Sequence, residues 1–341
     1  MAPMGSGIFA RGRKKIVVTK REMAAQLLRV SGASWLIRKV GTWNGLVVMN
    51  YHRVGEASSS TLNQELWSAT QDDLDAQIKF FKSHCDVIGE ADVADVLKRG
   101  KGRYLQLTFD DGYRDAHDGA FPVLKANGVT ATFFLATGFL DQPKVPWWDE
   151  IAWMVKNGSP RFGGRGPREA VINTLTGVYR ALPPGRGDAF LDLLGEATGA
   201  GRAGAGPAAD LWMTWDMVRA MRDRGMTFGG HTVSHCELAK LPRPEQEREI
   251  AGCKQRIEQE LGGRMRTFSY PYGEAHVFNE DTRSCLEALG VEWSYSYYGG
   301  YQTAGGQVDR FDLKRFAIER DMTTATWTLF GTVPWWDRMV S

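Results

Sequence analysis

The stretch YLQLTFDDGYRDAHDGAFPVLKANGVTATFFLA, residues 104–136, decides the fold of this chain. An apolar run at 104–109 is followed by a helical pattern at 116–126, and a second apolar run at 130–136 begins soon after Gly128. A glycine in that place is typical of a left-handed helix terminus. The order strand, helix, strand with short connections describes a βαβ unit, whose strands are parallel. The stretch therefore predicts an α/β fold.

The same alternation continues along most of the chain. Further strand-like runs lie near 46–51, 226–230, 267–272, 292–297 and 315–319, and helical patterns lie at 70–84, 243–261 and 279–289. Thr70 and Asp73 make a capping pair at the start of the first of these helices. Strand-like runs that alternate with helices in this way are typical of a (β/α) barrel. We therefore predict a closed or nearly closed barrel of about seven parallel strands.

Composition predicts the domain organisation. Residues 1–43 form a basic amphipathic arm in this interpretation, because residues 1–40 carry a net charge of +8, which leaves −6 for the remainder. Residues 44–341 form the barrel. Within it, segments rich in Gly, Ala, Arg and Pro flank a helical pair, so we predict an insertion at about 158–210 with mobile linkers.

The basic arm is compatible with more than one partner. Residues 21–40 show a helix-like apolar pattern among basic residues, which suits a helix lying on an anionic membrane surface. The pattern equally suits a helix packed on the domain itself. We expect no nucleic-acid partner, because the rest of the chain is acidic and shows no nucleic-acid motif. Peripheral contact with an anionic membrane through residues 11–40 stays an open alternative.

Cysteine usage and hydropathy indicate the compartment. The four cysteines show no CxxC spacing, which favours reduced thiols. No run approaches the roughly 18 to 20 apolar residues that span a bilayer, and the pattern of a cleaved signal is absent. We therefore expect a cytoplasmic protein, either free or peripheral at the inner membrane.

Polar residues follow three of the strand-like runs. Asp110 and Asp111 follow the run that opens the quoted stretch. His231 and His235 follow a later run, and His52 follows the first one. In a parallel barrel the carboxyl ends of all strands open onto one face, where catalytic residues gather. We therefore expect these side chains to lie near one another.

These residue types suit metal-assisted hydrolysis. Two imidazoles and one carboxylate are the ligand set of a catalytic zinc site, which keeps one coordination position open for water. Such an ion lowers the pKa of its water to about 7. A second carboxylate can then act as general base. The pattern predicts a hydrolytic metal site.

Three short motifs carry a family resemblance. TFDDG at 108–112, HTVSH at 231–235 and PYG at 271–273 resemble the first three motifs of the polysaccharide deacetylase superfamily, also known as the NodB homology domain or carbohydrate esterase family 4. The resemblance covers residues 44–320. It implies a distorted (β/α) barrel that removes N- or O-acetyl groups from sugars by metal-assisted hydrolysis.

The resemblance also implies a role for each motif residue. Asp110 would be the general base. The metal ligands would be Asp111, His231 and His235, and the backbone amide of Tyr272 would stabilise the tetrahedral oxyanion. Zinc is the expected ion, while cobalt, nickel and iron suit the same ligands.

Two departures from the family pattern affect these roles. Ser269 stands where the third motif usually has an arginine that orients the base, and either Arg315 or Arg320 could replace it. The late Leu-x-His motif, which supplies the acid for the leaving amine, is absent because no histidine follows His276. His52 would then be the acid, as in a circularly permuted branch of the superfamily. A structural role for His52 is the alternative.

Four further residues are expected around the oxyanion and the substrate. Gly112 and Pro271 belong to the motifs themselves. In VPWWDEIAW, Trp148 could form a wall against a sugar ring and Asp149 could bind a hydroxyl group. The alternative is that Trp147 or Trp148 packs in the core.

The function implied by the resemblance is metal-dependent removal of N-acetyl groups from an acetamido sugar in polysaccharide, capsule or glycolipid synthesis. One alternative substrate is an O-acetyl ester, a formamido sugar or a non-sugar amide. Another alternative, motivated by Ser269, is a sugar-binding homologue that has lost catalysis. The sequence leaves open the sugar, its chain length, its attachment to lipid and the oligomeric state.

Overall fold

The computed structural model describes residues 43–99, 101–159 and 168–320. The predicted arm lies outside these residues except for Trp43, and so does most of the first linker of the predicted insertion. The strands are β1 (Gly45–Tyr51), β2 (Arg53–Val54), β3 (Trp67–Ala69), β4 (Asp86–Ile88), β5 (Arg103–Phe109), β6 (Thr132–Leu135), β7 (Thr227–Gly230), β8 (Thr267–Ser269), β9 (Trp293–Tyr295), β10 (Gln302–Thr303) and β11 (Phe316–Ala317). The α-helices are α1 (Gln71–Lys82), α2 (Val93–Lys98), α3 (Phe121–Ala126), α4 (Thr137–Asp141), α5 (Trp147–Asn157), α6 (Arg168–Ala181), α7 (Gly187–Thr198), α8 (Ala205–Ala208), α9 (Trp215–Arg222), α10 (Arg243–Leu261) and α11 (Glu280–Ala288).

A run of parallel strands in the order β1-β5-β6-β7-β8-β9 forms the main sheet. The last strand of this run, β9, is joined to the first by the chain segment 313–317. Leu313 makes a parallel bridge to Tyr295 of β9, and β11 pairs in parallel with Met49 and Asn50 of β1. The predicted barrel of seven parallel strands is therefore confirmed, and the segment 313–317 closes it.

Two short strands distort the barrel. β4 pairs with Tyr104, Leu105 and Gln106 of β5, and β6 pairs with the same edge of β5 only at Thr108 and Phe109. β10 runs antiparallel to the first two residues of β1. Neither strand was predicted, because strands of two or three residues carry no readable alternation of apolar and polar positions.

The predicted helices are present with small differences at their ends. The predicted capping pair is confirmed, since Thr70 Oγ1 accepts the Asp73 N–H (3.1 Å) and Asp73 Oδ2 accepts the Thr70 N–H (3.2 Å). The helix predicted at 116–126 begins with a π-helical turn, Ala116–Ala120, before α3 continues it. The predicted stop at Gly128 is also confirmed, with a φ of 64°.

The two sides of the sheet have different chemistry. Phe109, Phe133 and Phe228, from three neighbouring strands, stack in a row with ring centroids 4.9 and 5.7 Å apart and belong to the apolar core under the helices. Neighbouring positions along these strands face the other way. Inside the barrel they include a polar network, in which Thr108 Oγ1 donates to Asn50 Oδ1 (2.8 Å), and a second apolar cluster that contains Phe134.

Helices α5, α6 and α7 pack against one another beside the barrel. Their contact is apolar and includes Ile151, Met154, Ile172, Leu191 and Leu194. The prediction that α6 and α7 belong to an insertion at about 158–210 stays a prediction.

Among the described residues, no helix has both the length and the apolar character needed to cross a membrane.

The aromatic row gives a stability prediction. Phe133 is 1% exposed and is packed between Phe109 and Phe228. We expect Phe133→Ala to lower the free energy of unfolding by about 3–5 kcal/mol, because it removes buried apolar surface and leaves a cavity. Urea unfolding measures the change. Leu193→Ala is the control, since Leu193 is 66% exposed and its truncation should change stability by no more than about 0.5 kcal/mol. A similar small loss for Phe133→Ala would contradict this description of the core.

Candidate metal centre

Three side chains from two strand ends converge on one point at the carboxyl face of the barrel. Asp111 follows β5, and His231 and His235 follow β7. Asp111 Oδ1 lies 3.4 Å from His231 Nε2 and 3.2 Å from His235 Nε2. All three side chains are buried, and each offers one ligand atom within 4.8 Å of the others. We call this group the Asp-His-His triad.

The triad fits a divalent ion. Asp111 Oδ1 is buried and has no hydrogen-bond partner, although a buried polar atom normally has one. His231 Nδ1 contacts the Ser269 carbonyl oxygen at 2.7 Å, so that its Nε2 faces Asp111 Oδ1. An outer contact of this kind is typical of metal-bound histidines. Two imidazole nitrogens and one carboxylate oxygen match the ligand set of a catalytic zinc site.

The backbone of the site adopts conformations that side chains usually avoid. Among the described residues, only four other than glycine have a positive φ, and all lie in the three motifs. They are Asp111 (76°), Thr232 (64°), His235 (57°) and Tyr272 (65°). Each such conformation costs on the order of 1–2 kcal/mol. Contacts with the surrounding structure must therefore hold these turns in place.

One such contact comes from Glu249 on α10, which holds the loop between the two histidines. Glu249 Oε2 accepts the N–H groups of Val233 and Ser234, both at 2.9 Å. Its Oε1 accepts the Ser234 hydroxyl at 2.8 Å. On the other side of the loop, the Gly138 N–H donates to the Val233 carbonyl at 2.8 Å. This role could not be predicted from the sequence, because Glu249 resembles any other polar residue of a long surface helix.

Asp110 lies beside the triad but is held by a different set of contacts. Arg315 forms a bidentate pair with it, from Nη1 to Oδ1 (2.9 Å) and from Nη2 to Oδ2 (2.8 Å). Asn50 Nδ2 and Ser269 Oγ each donate to Oδ2 at 3.2 Å. Burial alone would raise the pKa of Asp110, but the charge and hydrogen bonds of Arg315, together with the charges of His231 and His52, outweigh it, so the pKa is lowered. Asp110 is therefore an ionised carboxylate with a fixed orientation.

The structure distinguishes the two candidates for the missing motif arginine. Arg315 makes the contact with Asp110, whereas Arg320 is exposed at the end of the described chain. Arg315 is fully buried, and its Nη2 donates to Ser269 Oγ at 2.7 Å. The serine at the motif position thus contacts the guanidinium group of the residue just before β11, in the segment that closes the barrel.

His52 lies at the same face, directly after β1. Its backbone N–H donates to Ser68 Oγ at 3.0 Å, and its ring meets the Tyr297 ring edge-on with centroids 5.6 Å apart. Burial would raise the pKa of Asp111, but contacts with both triad histidines, and more weakly the charge of His52, hold it well below its usual value. His52 is therefore within electrostatic range of the triad.

Tyr272 forms the turn after β8 and contacts the triad with its side chain. Its ring meets the His235 ring edge-on with centroids 5.0 Å apart. Its hydroxyl accepts Trp147 Nε1 at 3.2 Å. Pro271, just before it, is buried. The side chain of Tyr272 thus lies at the edge of the candidate metal centre.

Two residues expected at the substrate have their polar atoms bound within the protein. Asp149 is fully buried, and its two carboxylate oxygens accept the Asn63 N–H (2.9 Å) and the Tyr113 hydroxyl (2.8 Å). Burial raises its pKa to about 6. Trp148 is also buried, with Nε1 donating to the Tyr113 hydroxyl at 2.8 Å, and its ring packs against the His235 ring with centroids 4.5 Å apart, which agrees with the core-packing alternative. Both residues lie on the inward face of α5.

The backbone of Gly112 is also fully occupied within the protein. Its N–H donates to the Asp110 carbonyl, and its own carbonyl accepts the Met213 N–H, both at 3.0 Å. Its φ is 90°, and an added Cβ would lie 3.1 Å from Leu140. Gly112 therefore shapes the turn that carries the two aspartates and offers no free donor to an oxyanion.

Comparisons with known proteins agree with this geometry. A family model described as polysaccharide deacetylase matches residues 98–165 and 193–294. The chain is similar to the poly-beta-1,6-N-acetyl-D-glucosamine N-deacetylase of Staphylococcus aureus, with 30% identity over 111 residues, which are 29% of this chain and 38% of that protein. The match therefore spans well under half of that relative.

Solved structures resemble the fold over most of the chain. The Streptococcus pyogenes deacetylase PplD, solved in complex with acetate, has a TM-score of 0.55 and 17% identity, covering 84% of this chain and 97% of that chain. IcaB from Ammonifex degensii has a TM-score of 0.54 and 18% identity, covering 85% of this chain and 97% of that chain. At this level of identity the likeness concerns the fold.

The role of Glu249 gives a prediction about metal affinity. We expect Glu249→Gln to weaken zinc binding by about tenfold or more, because the amide cannot accept all three hydrogen bonds from the histidine loop. Competition with a chromophoric chelator measures the affinity without any substrate. Glu247→Gln is the matched control, since Glu247 is exposed on the same helix. Equal affinity of the two variants would show that Glu249 does not support the ligands.

Proposed function

Because this chain belongs to the polysaccharide deacetylase superfamily, we propose that it is a metal-dependent hydrolase that removes N-acetyl groups from an acetamido sugar. The observation that carries the proposal is the division of labour between two adjacent aspartates. Asp111 faces two histidines as a ligand, whereas Asp110 is turned to Arg315 and kept ionised. Metal-assisted hydrolysis of an amide uses both groups, since one binds the ion and the other takes a proton.

The ion belongs at the Asp-His-His triad in this proposal. Held there, it would polarise the acetamide carbonyl and lower the pKa of a water molecule to about 7. The support is the orphaned carboxylate oxygen of Asp111 and the orientation of His231 by Ser269. Zinc is the ion we propose, with cobalt, nickel and iron as alternatives for the same ligands.

The residues of this chain then move protons around the substrate. Asp110 accepts a proton from the attacking water, while Arg315 keeps its carboxylate in place. The backbone amide of Tyr272 donates a hydrogen bond to the tetrahedral oxyanion, a contact worth about two to three orders of magnitude in rate. His52 gives a proton to the nitrogen as the C–N bond breaks, because an amine leaves only in protonated form. The products are acetate and a free amino sugar.

The contacts of Arg315 bear on the alternative of a sugar-binding homologue without catalysis. That alternative was motivated by Ser269 in place of the motif arginine. The buried guanidinium group of Arg315, bound to Asp110 at 2.8 and 2.9 Å, supplies the positive charge that Ser269 lacks. We therefore favour an active enzyme over a sugar-binding homologue. The acyl group is the remaining choice, and separate assays of acetate and formate distinguish an acetamido from a formamido substrate.

We propose a polysaccharide or glycolipid precursor as the substrate and a cytoplasmic location, free or at the inner membrane surface. The support is the name of the Staphylococcus aureus relative, the four free cysteines and the basic residues of 11–40. Sedimentation of the full chain with phosphatidylglycerol or phosphatidylcholine vesicles tests the membrane contact. Binding to the anionic vesicles alone is expected, and no binding to either would limit the proposal to the free protein.

The two aspartates give the sharpest test of the mechanism. We expect Asp110→Asn to bind zinc stoichiometrically and to lose about two to four orders of magnitude in turnover, because the amide cannot accept the proton. Asp111→Ala should lose zinc and turnover together. The measurements are metal content after gel filtration and acetate release from N-acetylglucosamine oligomers.

Asp216→Asn is the control for this pair, because Asp216 is a surface aspartate whose side chain is 90% exposed. It should match the unmodified protein in both assays. Full turnover by Asp110→Asn would remove Asp110 as the base. Full zinc binding by Asp111→Ala would remove the triad as the metal site.

A further inference from the structure

The end of helix α6 reaches the candidate metal centre through two consecutive residues. The ring of Tyr179 stacks on Trp147, with centroids 4.1 Å apart and planes 12° apart. The indole N–H of Trp147 donates to the Tyr272 hydroxyl at 3.2 Å. Tyr179 is thus connected through one side chain to the residue that we propose as the oxyanion donor.

Arg180, the next residue, contacts the same turn directly. Its Nη1 and Nη2 bind the two carboxylate oxygens of Glu274 at 3.0 and 2.8 Å. Its guanidinium carbon lies 4.8 Å above the centre of the Tyr272 ring. Its backbone carbonyl accepts Lys240 Nζ, and Lys240 lies a few residues after the triad histidines. Arg180 therefore contacts the Tyr272 turn with its side chain and the segment that follows the triad histidines with its backbone.

The turn needs such support because of its backbone. Tyr272 has a φ of 65°, which is unfavourable for a residue with a side chain. On the β9 side, the Gly273 carbonyl accepts the Tyr297 N–H at 2.7 Å, and an added Cβ on Gly273 would lie 2.3 Å from Tyr297. On the opposite side, Arg180 and Glu274 hold it. The turn is fixed between β9 and helix α6.

We propose that Arg180 is a positioning residue that holds the Tyr272 turn for the reaction, so that helix α6 is part of the active site. This inference rests on the proposed function. The side chains of Arg180 and Glu274 are 31% and 37% exposed, and an ion pair at that exposure contributes little to stability. Its planar, two-point geometry instead restricts orientation. The pair should therefore affect turnover more than folding.

The test compares variants that break the pair with one that leaves it intact. We expect Arg180→Met and Glu274→Gln to lower kcat by about ten- to a hundredfold with KM changed by less than about threefold, because the contact between the Tyr272 amide and the oxyanion is made only in the transition state. Zinc content and the midpoint of thermal unfolding should stay unchanged. Arg186→Met is the matched control, since Arg186 is exposed between α6 and α7.

An exchange of charges distinguishes positioning from a general loss of structure. The double variant Arg180→Glu with Glu274→Arg restores the pair, so it should regain at least half of the lost kcat on a logarithmic scale. A kcat for Arg180→Met equal to that of Arg186→Met would overturn the inference. So would a double variant no better than its single parents.

A second readout separates this inference from the proposed function. Hydrogen–deuterium exchange of a peptide covering 270–276 reports on the turn without any substrate. Faster exchange in Arg180→Met than in Arg186→Met is expected, and equal exchange would overturn the inference. Absence of acetate release from the unmodified, zinc-loaded protein would instead overturn the proposed function, and the exchange result would still decide the role of Arg180 in holding the turn.

Discussion

The buried pair between Arg315 and Asp110 is the interaction on which the rest of this structure depends. Arg315 is fully inside the barrel, and a charge in that place is tolerated only when it is paired and hydrogen-bonded. Its partner follows β5, and its own segment continues into β11, which pairs with β1. The same contact that orients the proposed base therefore ties the closing strand to the first strands of the barrel. The segment that closes the barrel is thus also the segment that orients the Asp110 carboxylate.

The candidate metal centre is formed by loops whose backbone angles are unfavourable for residues with side chains. Asp111 and His235, two of the proposed ligands, and the neighbouring Tyr272 have positive φ angles. Rigid elements around them supply the restraint: Glu249 from α10 holds the histidine loop, and Arg180 from α6 contacts the Tyr272 turn. Strain at the centre and its restraint by outer helices are typical of sites that must present ligands in a fixed geometry.

The sequence predicted what depends on local pattern. The seven main strands, the capping pair at Thr70 and the helix stop at Gly128 follow from periodicity and cap chemistry, and the structure confirms them. The convergence of Asp111 with the two histidines follows from the rule that parallel strand ends share one face. These features need no knowledge of which distant residues meet.

The sequence could not predict what depends on distant side chains. Arg315 and Arg320 were equal candidates, because only the closing of the barrel brings one of them to a partner 205 positions away. The local sequence does not distinguish Glu249 from the other polar residues of α10. Asp149 was expected at the substrate, yet the direction of α5 buries it. Each of these outcomes is set by tertiary packing, which overrides local propensity.

The measurement that tests the account most directly is an exchange of serine and arginine between positions 269 and 315, assayed as zinc-dependent acetate release. Arg315→Ser should retain zinc and lose turnover by about a hundredfold or more, because Asp110 loses its orienting partner. Adding Ser269→Arg to this variant should raise its turnover at least tenfold, since it returns the arginine to the family's usual place beside the same aspartate. Turnover of zinc-loaded Arg315→Ser equal to that of the unmodified protein would contradict the account.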